Sequence, residues 1–220
     1  MIATQLSSST ASLFHNIDTT TPAEIAHLLR SPLVKDEPEA HRSSTAQEFF
    51  VASITDFPDS GYLNQLDRRI TVDTQIDVAR KYQLQPNDVL VSIVGSIGRV
   101  AIVAPDFKLS AIPSSNILVL RSRNQDRSTA VLTAMYYKST LGQQILADLT
   151  HGKTIPLISK KAFAHTPFPM PNDQNLQAAV SLFDLEVMVQ QKCEQLKNDV
   201  LQARKTFLAN TGTENSYKQN

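Results

Sequence analysis

The most regular hydrophobic pattern in the chain lies towards its carboxy-terminal end. Leu182, Leu185, Val189, Cys193, Leu196, Val200, Ala203 and Phe207 recur at steps of 3, 4, 4, 3, 4, 3 and 4, the spacing of a helix with one narrow apolar seam and a single stutter. Neither Gly nor Pro interrupts residues 172–210, and Asn172 or Asp173 can cap the start. The pattern predicts one unbroken helix over 172–210. So narrow a stripe calls for a partner helix rather than a core, and 36 residues of helix reach roughly 54 Å, more than a domain of this size needs for itself. The closing TGTENSYKQN, residues 211–220, reads as a disordered tail.

Earlier in the chain the patterns are shorter. Residues 1–21 are rich in Ser and Thr, the first dozen reading as loose, and Thr21-Pro22-Ala23-Glu24 combines an N-cap, an N1 proline and a capping-box acid, predicting a short helix through about Arg30. Residues 31–47 carry two prolines and mixed charge and read as an irregular loop, followed by a strand over 48–55. Phe57-Pro58-Asp59-Ser60-Gly61-Tyr62 supplies turn residues, and the polar stretch after it has no clear period. The clearest β signal is at 85–105, where β-branched runs flank Gly95-Ser96-Ile97-Gly98 and Pro105 closes the pattern, predicting a hairpin. Another strand is expected over 115–121, then helical spacing over 129–149 with a break at Gly142. Residues 151–171 combine a polar Gly turn, a short strand and a proline-rich extended exit.

The expected fold class is therefore α+β: a mixed β domain with short helices over 1–171, then one long coiled-coil helix over 172–210. With 220 residues and 41% hydrophobic content, the chain can bury a proper core. Its 21 basic residues balance 21 acidic ones, so no net field draws nucleic acid from a distance, and such affinity has to come from local patches or a partner. The single cysteine, Cys193, excludes an intrachain disulfide and any multi-cysteine metal site, in keeping with a reducing cytosol. Its place on the seam favours packing over chemistry. With no basic leader and no run of 18 apolar residues, neither secretion nor membrane insertion is expected, and cytoplasmic residence is the default.

Candidate binding chemistry is local. The GSIG turn has the form of the backbone-clamping loop of KH domains, but that loop joins two helices, whereas β-branched runs lie on both sides here. His151 and Lys153 flank Gly152, and Lys160 and Lys161 follow, so the four could form one face directed at phosphates or be ordinary solvated charge. Arg68 and Arg69, Arg80 and Lys81, and Arg121 and Arg123 are further basic pairs on expected loops. Catalysis finds less support. There is no Asn/Asp-Pro-Pro-aromatic motif of base methylation and no strand-linked glycine-rich cofactor loop. Pro105-Asp106-Phe107-Lys108 has the outline of a nuclease motif but lacks a second acidic ligand. The five histidines, at 15, 27, 41, 151 and 165, show no metal-ligand spacing. No cofactor or metal is expected.

Three segments together resemble the specificity subunits of type I restriction-modification systems. Residues 84–103, LQPNDVLVSIVGSIGRVAIV, are similar to that family's hairpin with a Gly-x-x-Gly-basic turn, with Asn87 standing where Gly is usual. Residues 151–174, HGKTIPLISKKAFAHTPFPMPNDQ, are similar to its Gly turn, Ile-Ser strand and Pro-x-Pro exit, and the long helix stands where the family has its spacer helix. The resemblance covers about 46–208. It implies a non-catalytic, DNA-reading target-recognition domain and a dimerisation helix, with double-stranded DNA, an adenine methyltransferase subunit and a restriction nuclease subunit as partners. Ser96 and Arg99 would then face the duplex, Arg99 suiting a phosphate or a guanine edge. A usual member carries two recognition domains and two helices in one chain, whereas this sequence has one of each. Pairing of two copies through antiparallel helices would give a gapped palindromic site. An adaptor that holds a methyltransferase without touching DNA, or a piece of a fused methyltransferase, are the other readings.

Overall fold

The computed structural model describes residue 10 and residues 18–152 and 154–214, with side chains as far as residue 209. The expectations for the first dozen residues, for Lys153 and for residues 215–220 lie outside the described residues. The centre of the fold is a five-stranded sheet in the order β2 (Ala26–Arg30), β9 (Ile117–Ser122), β6 (Val89–Ser92), β7 (Val100–Val103) and β4 (Tyr62–Leu63). The expected hairpin is β6 and β7, antiparallel with Val89 opposite Ile102 and Val91 opposite Val100. Every residue of both strands is buried. Alternate side chains serve different cores: Val89, Val91, Val100 and Ile102 face one, and Leu90, Ala101 and Val103 face the other. A strand covered on both faces needs no polar alternation, which is why this segment reads as an unbroken apolar run.

Helix α3 (Arg127–Lys138) lies in the first core, while Phe57, Leu63, Leu66 and Leu84 fill the second. Beside it stands a three-stranded sheet in the order β5 (Arg69–Val72), β3 (Gln47–Ala52) and β8 (Ala111–Pro113). Strand β3 runs antiparallel to β5 and parallel to β8, and Phe49, Val51, Ile70, Val72, Ile112 and Ala79 of α2 (Ile76–Lys81) form a third apolar cluster. A short antiparallel pair, β1 (Thr19–Thr20) with β10 (Phe168–Pro169), closes the two ends of this region on each other.

Several boundaries differ from the sequence reading. The helix expected through Arg30 is a single turn, α1 (Pro22–Ile25), and the chain continues as β2. The capping signal is present, since the Glu24 carboxylate accepts from the Thr21 N–H at 3.0 Å and the Thr20 hydroxyl at 2.6 Å. Pairing of the whole of β2 with residues 118–122 of β9, with Ala26 and Leu28 buried, outweighs the local helix preference. The short strand expected within 151–171 is reduced to isolated bridges at Leu157, and Lys160–Ala164 is a helix, α5, capped by the Ser159 hydroxyl, which accepts from the Ala162 N–H.

The break expected at Gly142 falls at Ser139, which ends α3 and caps α4 (Thr140–Asp148) by accepting from the Gly142 N–H. Gly142 serves a different purpose, because a Cβ there would overlap the Tyr136 carbonyl oxygen. The Gly142→Ala variant is therefore expected to lose about 3 kcal/mol, read as a fall in the urea midpoint. An unchanged midpoint would contradict this close approach.

The long helix, α6, spans Asp173–Glu214, running through Gly212 past its expected end at 210. A single Gly costs a helix only about 1 kcal/mol. Asn172 is its cap: its side-chain oxygen accepts from the Asn175 N–H and the Asn175 oxygen accepts from the Asn172 N–H, both at 2.9 Å. The first turns pack on the sheet domain through Ala179 and Phe183, with Leu176, Val180 and Val187 partly covered. The Phe183 ring meets Tyr62 edge to face at 5.0 Å, and Arg127 joins Asp184 to the Tyr62 hydroxyl. From Met188 to Ala209 every side chain is exposed. The predicted seam faces away from this anchor: Leu182, Leu185, Val189, Cys193, Leu196, Val200, Ala203 and Phe207 are all exposed.

Candidate nucleic-acid interface

Two turns predicted separately are joined in the structure. The β6–β7 turn places Gly95 and Gly98 at φ 78° and 86°, backbone that side-chain-bearing residues rarely adopt. The Gly95 N–H donates to the Pro156 carbonyl at 2.9 Å, the Ile158 N–H donates to Ile93 at 2.8 Å, and His151 and Leu157 exchange backbone bonds at 2.9 and 2.8 Å. The buried Ser92 hydroxyl fixes the turn from beneath, donating to the Ser96 carbonyl at 2.6 Å and accepting from the Arg99 N–H at 2.8 Å. Gln143 of α4 donates to the Gly98 carbonyl at 2.9 Å. On this braced platform Ser96, His151, Ile155 and Leu157 are exposed, and Lys160 and Lys161 are exposed at the start of α5 that follows it. Backbone held this firmly can present a few polar groups at little ordering cost.

Arg99 leaves that platform by a different route. Its guanidinium donates to the Phe57 carbonyl at 3.2 Å and lies 3.6 Å from Asp59, so it braces the 57–62 turn while remaining half exposed. Close by, burial holds the Lys138 ammonium below its ordinary pKa, against the pull of Glu186 and Asp59.

Arg121 lies within the fold. Its guanidinium holds both oxygens of the fully buried Asp88, at 2.8 and 2.7 Å, and donates to the Gln83 carbonyl at 2.9 Å. Burial pushes the Asp88 carboxyl up from its usual value, while Arg121 and the Gln85 N–H pull it down. Arg123 donates to the Ala23 and Glu24 carbonyls, both at 2.9 Å, and so closes the carboxy-terminal end of α1. Arg68 and Arg69 are exposed on the other sheet, at β5, where Arg69 stacks 4.6 Å over the Phe50 ring and sits 3.8 Å from Glu48. Of the ten expected DNA contacts, Lys153 lies outside the described residues and the other nine are not shown to form one surface. Ser96 and His151 stand on the joined turns and Lys160 and Lys161 are exposed on α5; Arg68 and Arg69 stand apart on the other sheet; Arg99, Arg121 and Arg123 brace the fold.

A polar cleft escaped the sequence reading. Ser44, Thr45 and Gln47 face Thr74, Asp77 and Arg80 across it. The irregular segment over 31–46 is held there by acidic side chains: Asp73 accepts from the Ser43 N–H and hydroxyl at 2.6 and 2.8 Å, and Asp36 accepts from the Thr71 N–H at 2.8 Å. Those donors, the Ser43 N–H first, hold the Asp73 carboxyl below its usual pKa. Only the Asx and Ser/Thr turn residues hinted at such order. Among the described residues no group of His, Cys, Asp and Glu could hold a metal ion, and no helix is long and apolar enough to cross a membrane.

The structure is thus a mixed-sheet domain that presents joined polar turns and carries a long exposed helix. The type I restriction modification DNA specificity domain family matches residues 45–202, and the chain belongs to that family. The HsdS subunit from Thermoanaerobacter tengcongensis is similar in structure, with a TM-score of 0.51 at 17% identity, over 90% of this chain and 43% of that one. A chain from a structure concerned with complex assembly and conformational transition of the type I R-M system gives 0.52 at 17% identity, over 90% and 47%. At such identities the likeness concerns the α+β fold, which it bears out. The present chain spans less than half the length of either. Comparison with curated proteins gives no match.

Proposed function

We propose that this chain reads DNA sequence for a type I-like restriction-modification complex and leaves chemistry to its partners. The observation that carries the reading is the reach of the family match, from 45 to 202, which takes in the three-stranded sheet, the five-stranded sheet apart from β2, the paired turns and the helix past its anchor. The sheet domain is the target-recognition domain, and the helix from Asn172 onward is the spacer through which two copies pair to address a bipartite site. An adenine methyltransferase subunit supplies catalysis and, because this chain has no net charge, much of the phosphate affinity. A restriction nuclease subunit completes the cytoplasmic assembly. Lys160 and Lys161 contact phosphates, while Ser96, His151 and the residues of the 44–80 cleft approach base edges.

The test uses the complex copurified with its methyltransferase. Lys160→Ala with Lys161→Ala is expected to weaken binding to all sequences alike and to lower the salt slope by about 1 for each phosphate left without its lysine. The methylated sequence should stay the same. Unaltered DNA affinity and methylation in this variant, and in Ser96→Ala with His151→Ala, would instead support a scaffold that does not touch DNA.

A further inference from the structure

We infer that two copies pair through α6 in one antiparallel register, with the two-fold axis between Glu194 and Gln195. The inference rests on the self-pairing proposed above and adds what that reading leaves open, the alignment of the two helices. Every side chain from Met188 to Thr206 is exposed, so the sheet domain does not cover the seam and its occupant has to come from outside. A second copy fits by its own pattern. In antiparallel helices each a position of one seam packs against a d position of the other. An axis between 194 and 195 brings Leu182 against Phe207 of the second copy, Val189 against Val200 and Cys193 against Leu196, each contact occurring twice. These six of the eight seam residues are apolar and exposed; of the other two, Leu185 falls opposite Arg204 and Ala203 opposite Glu186.

Charge chooses between this register and its neighbours. Lys192 and Asp199 flank the seam on the same side, one heptad apart. In the proposed register Lys192 meets Asp199 of the second copy, giving two ion pairs of opposite sign. Sliding the pair so that the axis moves half a heptad towards the amino terminus sets Lys192 against Lys192. Sliding it equally the other way sets Asp199 against Asp199. Like charges facing each other across a seam oppose both slips, which is how flanking positions select alignment in paired helices.

Oxidative crosslinking of the full chain, with mass measured under reducing conditions, tests the proposal. In the proposed register Cys193 lies diagonal to Cys193 of the second copy, about 4.5 Å apart along the axis in addition to the separation across the seam, beyond the reach of a disulfide. The native chain should therefore form little linked dimer. Leu196→Cys should convert most of it to linked dimer, because the new thiol faces Cys193 directly, and adding Cys193→Ser should abolish the link. Asp199→Lys should weaken the dimer and Lys192→Asp with Asp199→Lys should restore it. Linking of the native chain would show parallel pairing, and linking of Val189→Cys or Ala203→Cys in place of Leu196→Cys would show a slipped register; either overturns the inference while leaving self-pairing intact. A monomeric mass at high concentration would overturn the self-pairing reading itself.

Discussion

The Asp88→Asn variant is expected to lose about 3–5 kcal/mol of stability, the usual result of removing one partner from a buried ion pair. The Arg121 guanidinium is mostly covered and Asp88 wholly so, which leaves the arginine charge with the Gln83 carbonyl as its remaining partner. The carboxylate also accepts from the Gln85 N–H at 2.8 Å, so the turn into β6 loses a constraint at the same time. Urea unfolding followed by far-ultraviolet circular dichroism gives the figure, and a loss below about 1 kcal/mol would mean the pair is better solvated than the structure indicates. Leucine at 88 with methionine at 121 should recover most of the loss, since well-packed apolar residues commonly replace a buried pair without cost. In the refolded double variant DNA affinity should match that of the parent, because Arg121 supports the sheet instead of meeting the ligand.

Leu196→Glu combined with Val200→Glu should convert the proposed dimer to a monomer while leaving the unfolding of the sheet domain unchanged. Both side chains are exposed in the single chain, so their replacement leaves the packing within one copy intact. Two heads joined on one duplex gain about 10²–10⁴ in affinity over one head alone. The variant should lose that factor on a full bipartite site and lose nothing on a half-site. Sedimentation with binding to both duplexes measures the pair of effects, and equal losses on the two would indicate that the helix acts on the reading surface itself.

The legible parts of this fold are those whose pattern has one cause. The hairpin announces itself because two faces of burial make an unbroken apolar run, and the long helix because one narrow apolar seam runs on to Phe207 with neither Gly nor Pro to interrupt it. Asn87, which stands where the family usually has Gly, sits at φ 65°, a conformation Asn tolerates better than most residues. The departure is therefore conservative in backbone terms. Segment 26–30 misleads because its capping signal is real but serves one turn only, and strand β2 owes its existence to β9, far away in sequence. Strand β8 and helix α5 are too short for any period to register. Basic pairs are the least legible feature. Nothing in the text around Arg121 or Arg123 says that one guanidinium meets a buried carboxylate and the other a helix end, whereas Lys160 and Lys161 stand out in solvent.

Phe183 and Arg127 fix the rod to the sheet domain by an apolar plug and an ion pair, so the head cannot swivel about its own helix. In the proposed pairing, with the axis between 194 and 195, the two Phe183 anchors would stand about 35 Å apart, near the 34–36 Å of one duplex turn. Inserting a single base pair between half-sites would rotate the far one by about 34° around the duplex. Heads locked to a stiff rod cannot follow that rotation, so the assembly should distinguish gap lengths by angular phase more sharply than by distance.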